Sequence, residues 1–245
     1  MIDTSKSLNV NIMSCLQNVR IAKFSGATLK DTSFLKYIPN VEELELGGLQ
    51  SFDFADLLPL KKIRKLTICK SRELCDLDAL HSFKGLKELK FWNVRKIEIP
   101  KNEIRLELEK LEIGFTPKEL PEVFLKNSTI RTLSISYSKQ VDFGVIGNYD
   151  ALEELSINDM KVINITKLSQ CKNIIRLNLN TENELMGKEN NNEVESYVKK
   201  LVKKSGQKRK FLFDSEAENF CVYANKLEDL KWLIDLLCEY IKKDR

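Results

Sequence analysis

A pattern of three apolar residues recurs along most of the chain. In the stretch Leu86–Trp92, the residues Leu86, Leu89 and Phe91 are separated by charged residues, so apolar side chains occupy positions 1, 4 and 6. The copies of this pattern begin at Val19, Val41, Ile63, Leu86, Leu108, Ile130, Leu152 and Ile174. Successive copies are 22 residues apart, except for one interval of 23. A fixed period of this length predicts a solenoid, in which each unit buries its apolar face against its neighbours.

The second half of each unit also has a repeating apolar pattern. In the unit that begins at Ile130, positions 12, 14, 17 and 20 are Val141, Phe143, Ile146 and Tyr149. The first half of each unit predicts a short strand, parallel to the strands of its neighbours. Units this short leave room between strands for 3₁₀ or irregular turns and at most a short helix.

These patterns resemble the leucine-rich repeat family, whose unit opens with L-x-x-L-x-L, over residues 19–180. The repeat looks most like the short 22-residue subclass found in the protein phosphatase 1 regulatory subunit and in bacterial internalins. The resemblance implies an α/β fold, a leucine-rich repeat solenoid with a curved, parallel concave sheet of about eight strands. The family usually has Asn at position 9, whereas this chain has Leu49, Ser71, Val94, Thr116, Ser138 and Met160. The turn after each strand must therefore satisfy its backbone groups in another way.

Two flanking segments are expected to cap the solenoid, whose open edges need covering. Residues 1–18 contain the alternating residues Leu8, Val10 and Ile12, a pattern typical of a half-buried strand, and predict an N-terminal cap.

Residues 181–245 predict a C-terminal cap that contains both helices and strands. The predicted elements are a helix over 193–204, strands at 211–213 and 220–223, and an amphipathic helix over 226–243. In an alternative interpretation, the second apolar edge of the last helix binds a partner or a second copy of the chain. The sequence does not otherwise indicate a homo-oligomer.

Charged residues fill the strand positions that face outward, because side chains alternate along a strand. Position 2 reads Arg20, Glu42, Arg64, Lys87, Glu109, Arg131, Glu153 and Ile175, so the sign alternates between many neighbouring strands. This alternation has two interpretations, a structural ladder of ion pairs that fixes strand register or a polar site for a partner. A surface neutralised in this way is a poor site for nucleic acid.

Three consecutive units place an aromatic residue at position 7 or 8, near one rim of the predicted sheet. These residues are Trp92, Phe115 and Tyr137, and the charged residues Lys90 and Glu112 lie beside them in sequence. Aromatic residues flanked by charges are common interface anchors, so these five residues are the candidate protein-binding site. Alternatively, the aromatic side chains pack on the turns and replace the missing asparagines.

The segment 199–210 contains seven positive charges and no acid. Its candidate RNA-binding residues are Lys199, Lys200, Lys203, Lys204, Lys208, Arg209 and Lys210. They could contact the phosphates of RNA in a ribonucleoprotein particle such as the ribosome, or form a nuclear localisation signal. They could also be a solvated helix end, where cations are favourable.

Composition excludes several classes of protein. The net charge of +4 is too mild to mark a general nucleic-acid binder, and the absence of any long apolar run argues against a membrane protein. The start of the chain does not resemble a signal peptide. The six cysteines are scattered without a C-x-x-C pair, which predicts free thiols in a cytoplasmic protein, with a nuclear location as the alternative.

Catalytic motifs are absent from the sequence. The single histidine, His81, lies in a return segment, and no nucleotide-binding, hydrolase or metal-ligand pattern occurs. We therefore expect neither a cofactor nor a metal. The sequence predicts a non-enzymatic intracellular adaptor or regulatory subunit that binds another protein on its repeat sheet; the alternative is a factor that contacts RNA through residues 199–210.

Overall fold

The computed structural model describes the chain in segments: 2–3, 16–29, 32–117, 119–125, 127, 129–137, 140–146, 149–180, 191–213, 221–224 and 226–243. The predicted alternating strand at Leu8, Val10 and Ile12 lies outside the described residues. The chain divides into two compact units, residues 1–127 and 128–245, which are described separately below.

The described part of the first unit consists of strands joined by short turns of helix. Its strands are β1 (Ile2–Asp3), β2 (Ile21–Leu29), β3 (Glu43–Leu49), β4 (Ser51–Asp53), β5 (Lys65–Cys75), β6 (Glu88–Ile97) and β7 (Lys110–Gly114). Its helical turns are the 3₁₀ helices η1 (Ser33–Tyr37), η2 (Phe54–Leu57) and η3 (Leu77–Ser82) and the α-helix α1 (Glu119–Phe124).

Parallel pairing in the first unit aligns equivalent positions of successive repeats. The strand order is β1-β2-β3-β5-β6-β7, and β4 pairs with the second half of β5. Leu44 on β3 pairs with Ala22 on one side and Leu66 on the other, each one repeat away. The predicted parallel sheet is therefore confirmed, and its register equals the sequence period.

The second unit combines further repeat strands with the C-terminal segment. Its described elements are β8 (Thr132–Ser136), β9 (Gln140–Asp142), α2 (Phe143–Ile146), β10 (Glu154–Asn158), β11 (Lys161–Ile163), η4 (Ile165–Gln170), β12 (Arg176–Asn180), α3 (Asn191–Lys204), β13 (Phe211–Phe213), β14 (Cys221–Ala224) and α4 (Leu227–Lys243). The main strand order is β8-β10-β12-β14-β13, and β9 pairs separately with β11.

The C-terminal elements match the predicted ones to within two residues at each end. Strand β14 extends the sheet by pairing antiparallel with β12, so that Val222 lies opposite Leu177. This reversal of direction ends the parallel series. The role of this segment as a cap, and the domain boundaries at 18 and 180, stay predictions.

The core follows the apolar pattern of the repeats. Of the described side chains at positions 1, 4 and 6, all are buried except Val19, which is half-buried. Phe91 lies between two rings of the return segments, with centroid distances of 6.2 Å to Phe54 and 5.6 Å to Phe124. Each fully buried apolar side chain contributes about 1.5–3 kcal/mol through removal from water. The strands and their returns are therefore held together by one continuous apolar layer within each repeat.

The one 23-residue unit absorbs its extra residue at Asp76. Asp53 and Cys75, which are 22 residues apart, are paired across β4 and β5. The next elements, η2 and η3, begin at Phe54 and Leu77, which are 23 residues apart. The residue between, Asp76, is exposed and has a left-handed backbone with φ of 50°.

In six repeats, a left-handed residue at position 8 replaces the missing asparagine. The residues with positive φ at this position are Gly48, Lys70, Asn93, Phe115, Tyr137 and Asp159. This conformation turns the chain sharply after position 7. Position 9 is then buried in four repeats, and it holds an apolar side chain in Leu49, Val94 and Met160. Ser71 at the same position donates its hydroxyl to the carbonyl of Glu73 at 3.1 Å.

Asn127 is a buried polar residue at position 20, where other repeats have apolar residues such as Leu60. It is only 4% exposed. Its Oδ1 accepts from the backbone N–H of Leu106 at 2.7 Å, and its Nδ2 donates to the carbonyl of Phe124 at 2.6 Å. Asn127 thus satisfies a buried backbone group of the preceding return segment, which has no 3₁₀ helix.

The Asn127→Leu variant should be less stable despite its added apolar surface. It leaves the buried N–H of Leu106 without an acceptor, which costs about 1–3 kcal/mol. Urea unfolding measures this loss, and Gln17→Leu, at an exposed side chain, is a control that should change stability by less than about 0.5 kcal/mol. Equal stabilities of Asn127→Leu and the wild-type protein would contradict this role.

Candidate functional site

The charged residues of the sheet form ion pairs between neighbouring strands. Lys65 Nζ lies 3.7 Å from Glu43 Oε1 on β3 and 3.2 Å from Glu88 Oε1 on β6. The second unit has the same arrangement, with Arg131 Nη1 lying 3.1 Å from Glu153 Oε1. Each exposed pair contributes at most about 1 kcal/mol, but the series fixes strand register. The contacts thus support the structural interpretation of the alternating charges, and we refer to them as the charge ladder.

The charge ladder surrounds a shallow cavity of 280 Å³ in the first unit, whose floor includes Leu44, Leu66 and Leu89. Glu112, on its edge, is 2.7 Å from both Lys90 Nζ and Lys110 Nζ. Partial burial raises the pKa of the Glu112 carboxyl, but the hydrogen bonds from Lys110 and Lys90 outweigh burial, and its pKa is lowered. Glu112 is therefore a stable carboxylate rather than a proton donor at neutral pH.

Trp92, in the middle of β6, and Phe115, directly after β7, form an aromatic cluster that we call the aromatic edge. Trp92 pairs in register with Gly114, and its ring covers that glycine so closely that an added Cβ would lie 2.3 Å from Cζ3. The Phe115 ring meets Trp92 edge-on, with centroids 5.1 Å apart. Lys90 Nζ lies 5.9 Å from the Trp92 ring. The structure thus brings together four of the five predicted protein-binding residues.

Phe115 and Tyr137 are exposed at a position where the backbone favours other residues. Phe115 is 44% exposed and Tyr137, in the second unit, is 42% exposed. Their φ angles are 51° and 55°. Gly, Asn and Asp adopt this conformation readily, whereas a bulky residue is strained there by about 1 kcal/mol. Neither the turn nor burial therefore explains these aromatic side chains.

Gly114 belongs to the aromatic edge but is not among the residues predicted from the sequence. It could have been found from its position one repeat after Trp92, because strand register places the two residues side by side. The alternative interpretation has the aromatic side chains packing on the turns, whereas the Trp92 ring lies over Gly114 of the neighbouring strand and Phe115 is exposed.

The cations of residues 199–210, which we call the basic segment, differ in whether they have a carboxylate partner among the described residues. Arg209 is held within the chain, because its Nη1 donates to Asp229 Oδ1 at 2.5 Å and its guanidinium lies 5.1 Å from the Trp232 ring. Lys199 pairs with Glu195. The remaining candidates are exposed and have no carboxylate partner among the described residues: Lys200, Lys203, Lys204, Lys208 and Lys210.

Cys69, Cys75 and Cys171 form no disulfide among the described residues. Burial raises the pKa of the Cys171 thiol to about 11. Within the described segments, no group of three or more His, Cys, Asp or Glu residues is placed to hold a metal ion. No described helix is long and apolar enough to cross a membrane.

The fold is similar to that of solved internalin structures. Internalin C2 from Listeria monocytogenes superposes with a TM-score of 0.52 at 21% identity, over 66% of this chain and 71% of that protein. The chain therefore has a leucine-rich repeat fold. Internalin F from the same organism matches with a TM-score of 0.42 at 17% identity, over 66% of this chain and 56% of internalin F. This similarity is too distant to support an argument. No protein-family model and no curated protein matches the chain.

The leucine-rich repeat fold confirms the resemblance inferred from the 22-residue period, in the internalin form. The likeness to the protein phosphatase 1 regulatory subunit stays a prediction. At this level of identity the similarity describes the fold, and function must be argued from the side chains that the fold carries.

The Gly114→Ala variant should displace Trp92. The new methyl group would overlap the ring, so the indole must move into solvent and its fluorescence emission should shift to longer wavelength. We expect a loss of about 1–3 kcal/mol in unfolding free energy. Emission is measured in a Trp232→Phe background, which leaves Trp92 as the single tryptophan.

The matched control is Gly85→Ala, where the nearest atom to the added Cβ, the Ile63 carbonyl oxygen, is 3.7 Å away. This variant should keep the wild-type emission spectrum. An unchanged spectrum in Gly114→Ala as well would show that the indole does not rest on Gly114.

Proposed function

We propose that this protein is a non-enzymatic interaction module, an adaptor or regulatory subunit that binds a protein partner at the aromatic edge. The observation that carries the proposal is Phe115, a large aromatic side chain that is exposed in a strained backbone conformation and braced by Trp92. A bulky residue held in a left-handed conformation, where Gly, Asn or Asp would be less strained, is typical of functional positions. Aromatic residues are also enriched at protein interfaces.

The surroundings of the aromatic edge support a protein ligand. The adjacent charge ladder is neutralised internally, so it can form the polar rim that surrounds interface anchors. Lys90 and Glu112 lie in this rim and are paired with each other at 2.7 Å. Tyr137 offers a second exposed anchor in the other unit. The cytoplasmic or nuclear location of the protein remains a prediction from the sequence.

The Phe115→Asn variant separates binding from stability. Asn is favoured at a left-handed position, so the variant should be as stable as the wild-type protein or slightly more stable, while losing the anchor. We expect at least a tenfold loss of affinity for a partner captured by the wild-type protein, as for a central interface anchor. Partners are identified by affinity purification with mass spectrometry, and affinity is then measured with the purified partner.

Asp159→Asn is the matched control, since it places the same residue at position 8 of another repeat. It should retain the partner. Equal affinity of Phe115→Asn and Asp159→Asn for that partner would refute the role of the aromatic edge.

A second candidate function is RNA binding by the lysines of the basic segment. The observation that favours it is the exposure of Lys200, Lys203, Lys204, Lys208 and Lys210 without a carboxylate partner among the described residues. Their positive charge is therefore available to phosphates, unlike that of the charge ladder. Arg209 contributes less to this surface because it is bound to Asp229.

Replacing Lys203, Lys204, Lys208 and Lys210 with Ala tests this candidate. If these lysines bind phosphates, affinity for a single-stranded oligouridylate should fall, and the slope of log K against log salt should decrease by about 0.7 for each phosphate that the variant no longer binds. The control carries the same charge change at the exposed residues Lys61, Lys62, Lys84 and Lys101. Identical salt dependence in the two variants would eliminate specific RNA binding by this segment.

A further inference from the structure

A second cavity of the first unit differs in charge from the rest of the sheet. It has a volume of 910 Å³ and lies beside the end of β3 and the middle of β5 and β6. Its walls include Gly48, Lys70, Arg72, Asn93 and Arg95. We call this cavity the basic groove. Lys70, Arg72 and Arg95 are all exposed.

Two arginines face each other in the basic groove. Ser71 pairs with Val94 and Glu73 pairs with Lys96, so Arg72 and Arg95 occupy the same position on neighbouring strands. Adjacent parallel strands are about 4.8 Å apart, and like charges placed directly opposite each other destabilise a sheet. The charge ladder avoids this arrangement by alternating sign, as in Lys65 opposite Glu88. The arginine pair therefore departs from the alternation that most of the charge ladder follows.

Nearby carboxylates do not neutralise the basic groove. Glu45 is in its wall but pairs with Lys23 at 2.9 Å, and Glu73 pairs with Lys96. Lys70, Arg72 and Arg95 have no carboxylate partner among the described residues. Three positive charges thus converge on one cavity without an internal counter-charge in the described chain.

The donors of the groove suit a compact oxyanion. Two guanidinium groups on adjacent strands can each donate a pair of hydrogen bonds to oxygens of one anionic group, which gives shorter and stronger bonds than neutral donors. Asn93 and Gln50 add exposed amide groups to the walls. Gly47 and Gly48 carry no side chain that would fill the cavity.

The position of the groove points to a peptide as the carrier of that oxyanion. Asn93 and Arg95 follow Trp92 on the same strand, so a chain anchored on the aromatic edge passes directly beside the groove. A longer polyanion such as a nucleic acid would have to continue over the charge ladder, whose cations are already paired.

We propose that the basic groove binds an oxyanion side chain of an acidic peptide segment, either the carboxylates of Asp and Glu or a phosphorylated hydroxyl group. Arg72 and Arg95 hold the oxyanion from adjacent strands and Lys70 adds the third positive charge. The inference rests on the proposed function only in taking the ligand to be a polypeptide, and it identifies the chemistry of that ligand next to its aromatic anchor.

The test uses fluorescein-labelled synthetic peptides and the full-length protein. Three nine-residue Gly/Ser peptides are compared by fluorescence anisotropy: one with three glutamates, one with a single phosphoserine and one without charge. The wild-type protein should bind a charged peptide at least tenfold more tightly than the uncharged one. In the double variant Arg72→Gln/Arg95→Gln that preference should fall by about tenfold or more, because the charge-assisted hydrogen bonds are removed.

The matched control is Lys61→Gln/Lys62→Gln, which makes the same change in net charge at exposed residues that precede β5, at the opposite end of the strands. It should keep the wild-type preference. Tighter binding of the phosphoserine peptide identifies a phosphorylated segment as the ligand, and tighter binding of the glutamate peptide identifies an acidic one. Binding of neither charged peptide, or an equal fall in preference in the arginine and lysine variants, overturns the proposal.

A hexauridylate oligomer is the competing probe. If it binds more tightly than either peptide and depends on Arg72 and Arg95, the peptide assignment is wrong and the groove is a nucleic-acid site. Phe115→Asn distinguishes this proposal from the proposed function: it should leave the affinity for the short charged peptides unchanged while removing the protein partner. Loss of peptide preference only in the arginine variant therefore supports the groove independently of the aromatic edge.

Discussion

Parallel pairing at an offset of one repeat is the constraint on which the rest of the structure depends. It places each residue beside its equivalents in the neighbouring repeats, as with Leu44 between Ala22 and Leu66. The core, the charge ladder and the aromatic edge all follow from this rule, because a side chain meets partners about 22 positions away rather than close in sequence. The local secondary-structure propensity of a residue then has little influence on its conformation. Equivalent positions of neighbouring repeats instead stabilise or strain one another.

The sequence period was sufficient to predict the sheet and the buried positions, because apolar spacing and register are the same property in a repeat. It also predicted the opposed charges that became ion pairs, such as Lys65 with Glu43 and Glu88. The left-handed turn could not be predicted at Phe115 and Tyr137, since these residues carry no turn signal, unlike Gly48 and Asn93 at the same position. The partners of Arg209 also depend on tertiary contacts outside the repeat pattern.

The distribution of charge, rather than its amount, distinguishes the surfaces of the first unit. The net charge of the whole chain is only +4, and most cations of the sheet interior are balanced by a carboxylate on the next strand. Beyond position 6 of the repeats, this balance is lost at Arg72 and Arg95, and an aromatic cluster forms at Trp92 and Phe115. The proposed ligand contacts therefore lie beyond position 6, where the apolar repeat no longer dictates the side chain.

The extra residue at Asp76 shows how such a chain can change length without altering its exposed sheet. The insertion is contained in one exposed left-handed residue between β5 and η3, while Leu66 still pairs with Leu89. Strand spacing is consequently independent of the length of the returning chain. A substitution on the exposed face therefore changes the chemistry of one position. An insertion in a return segment leaves the register of the strands, and so the positions on that face, unchanged.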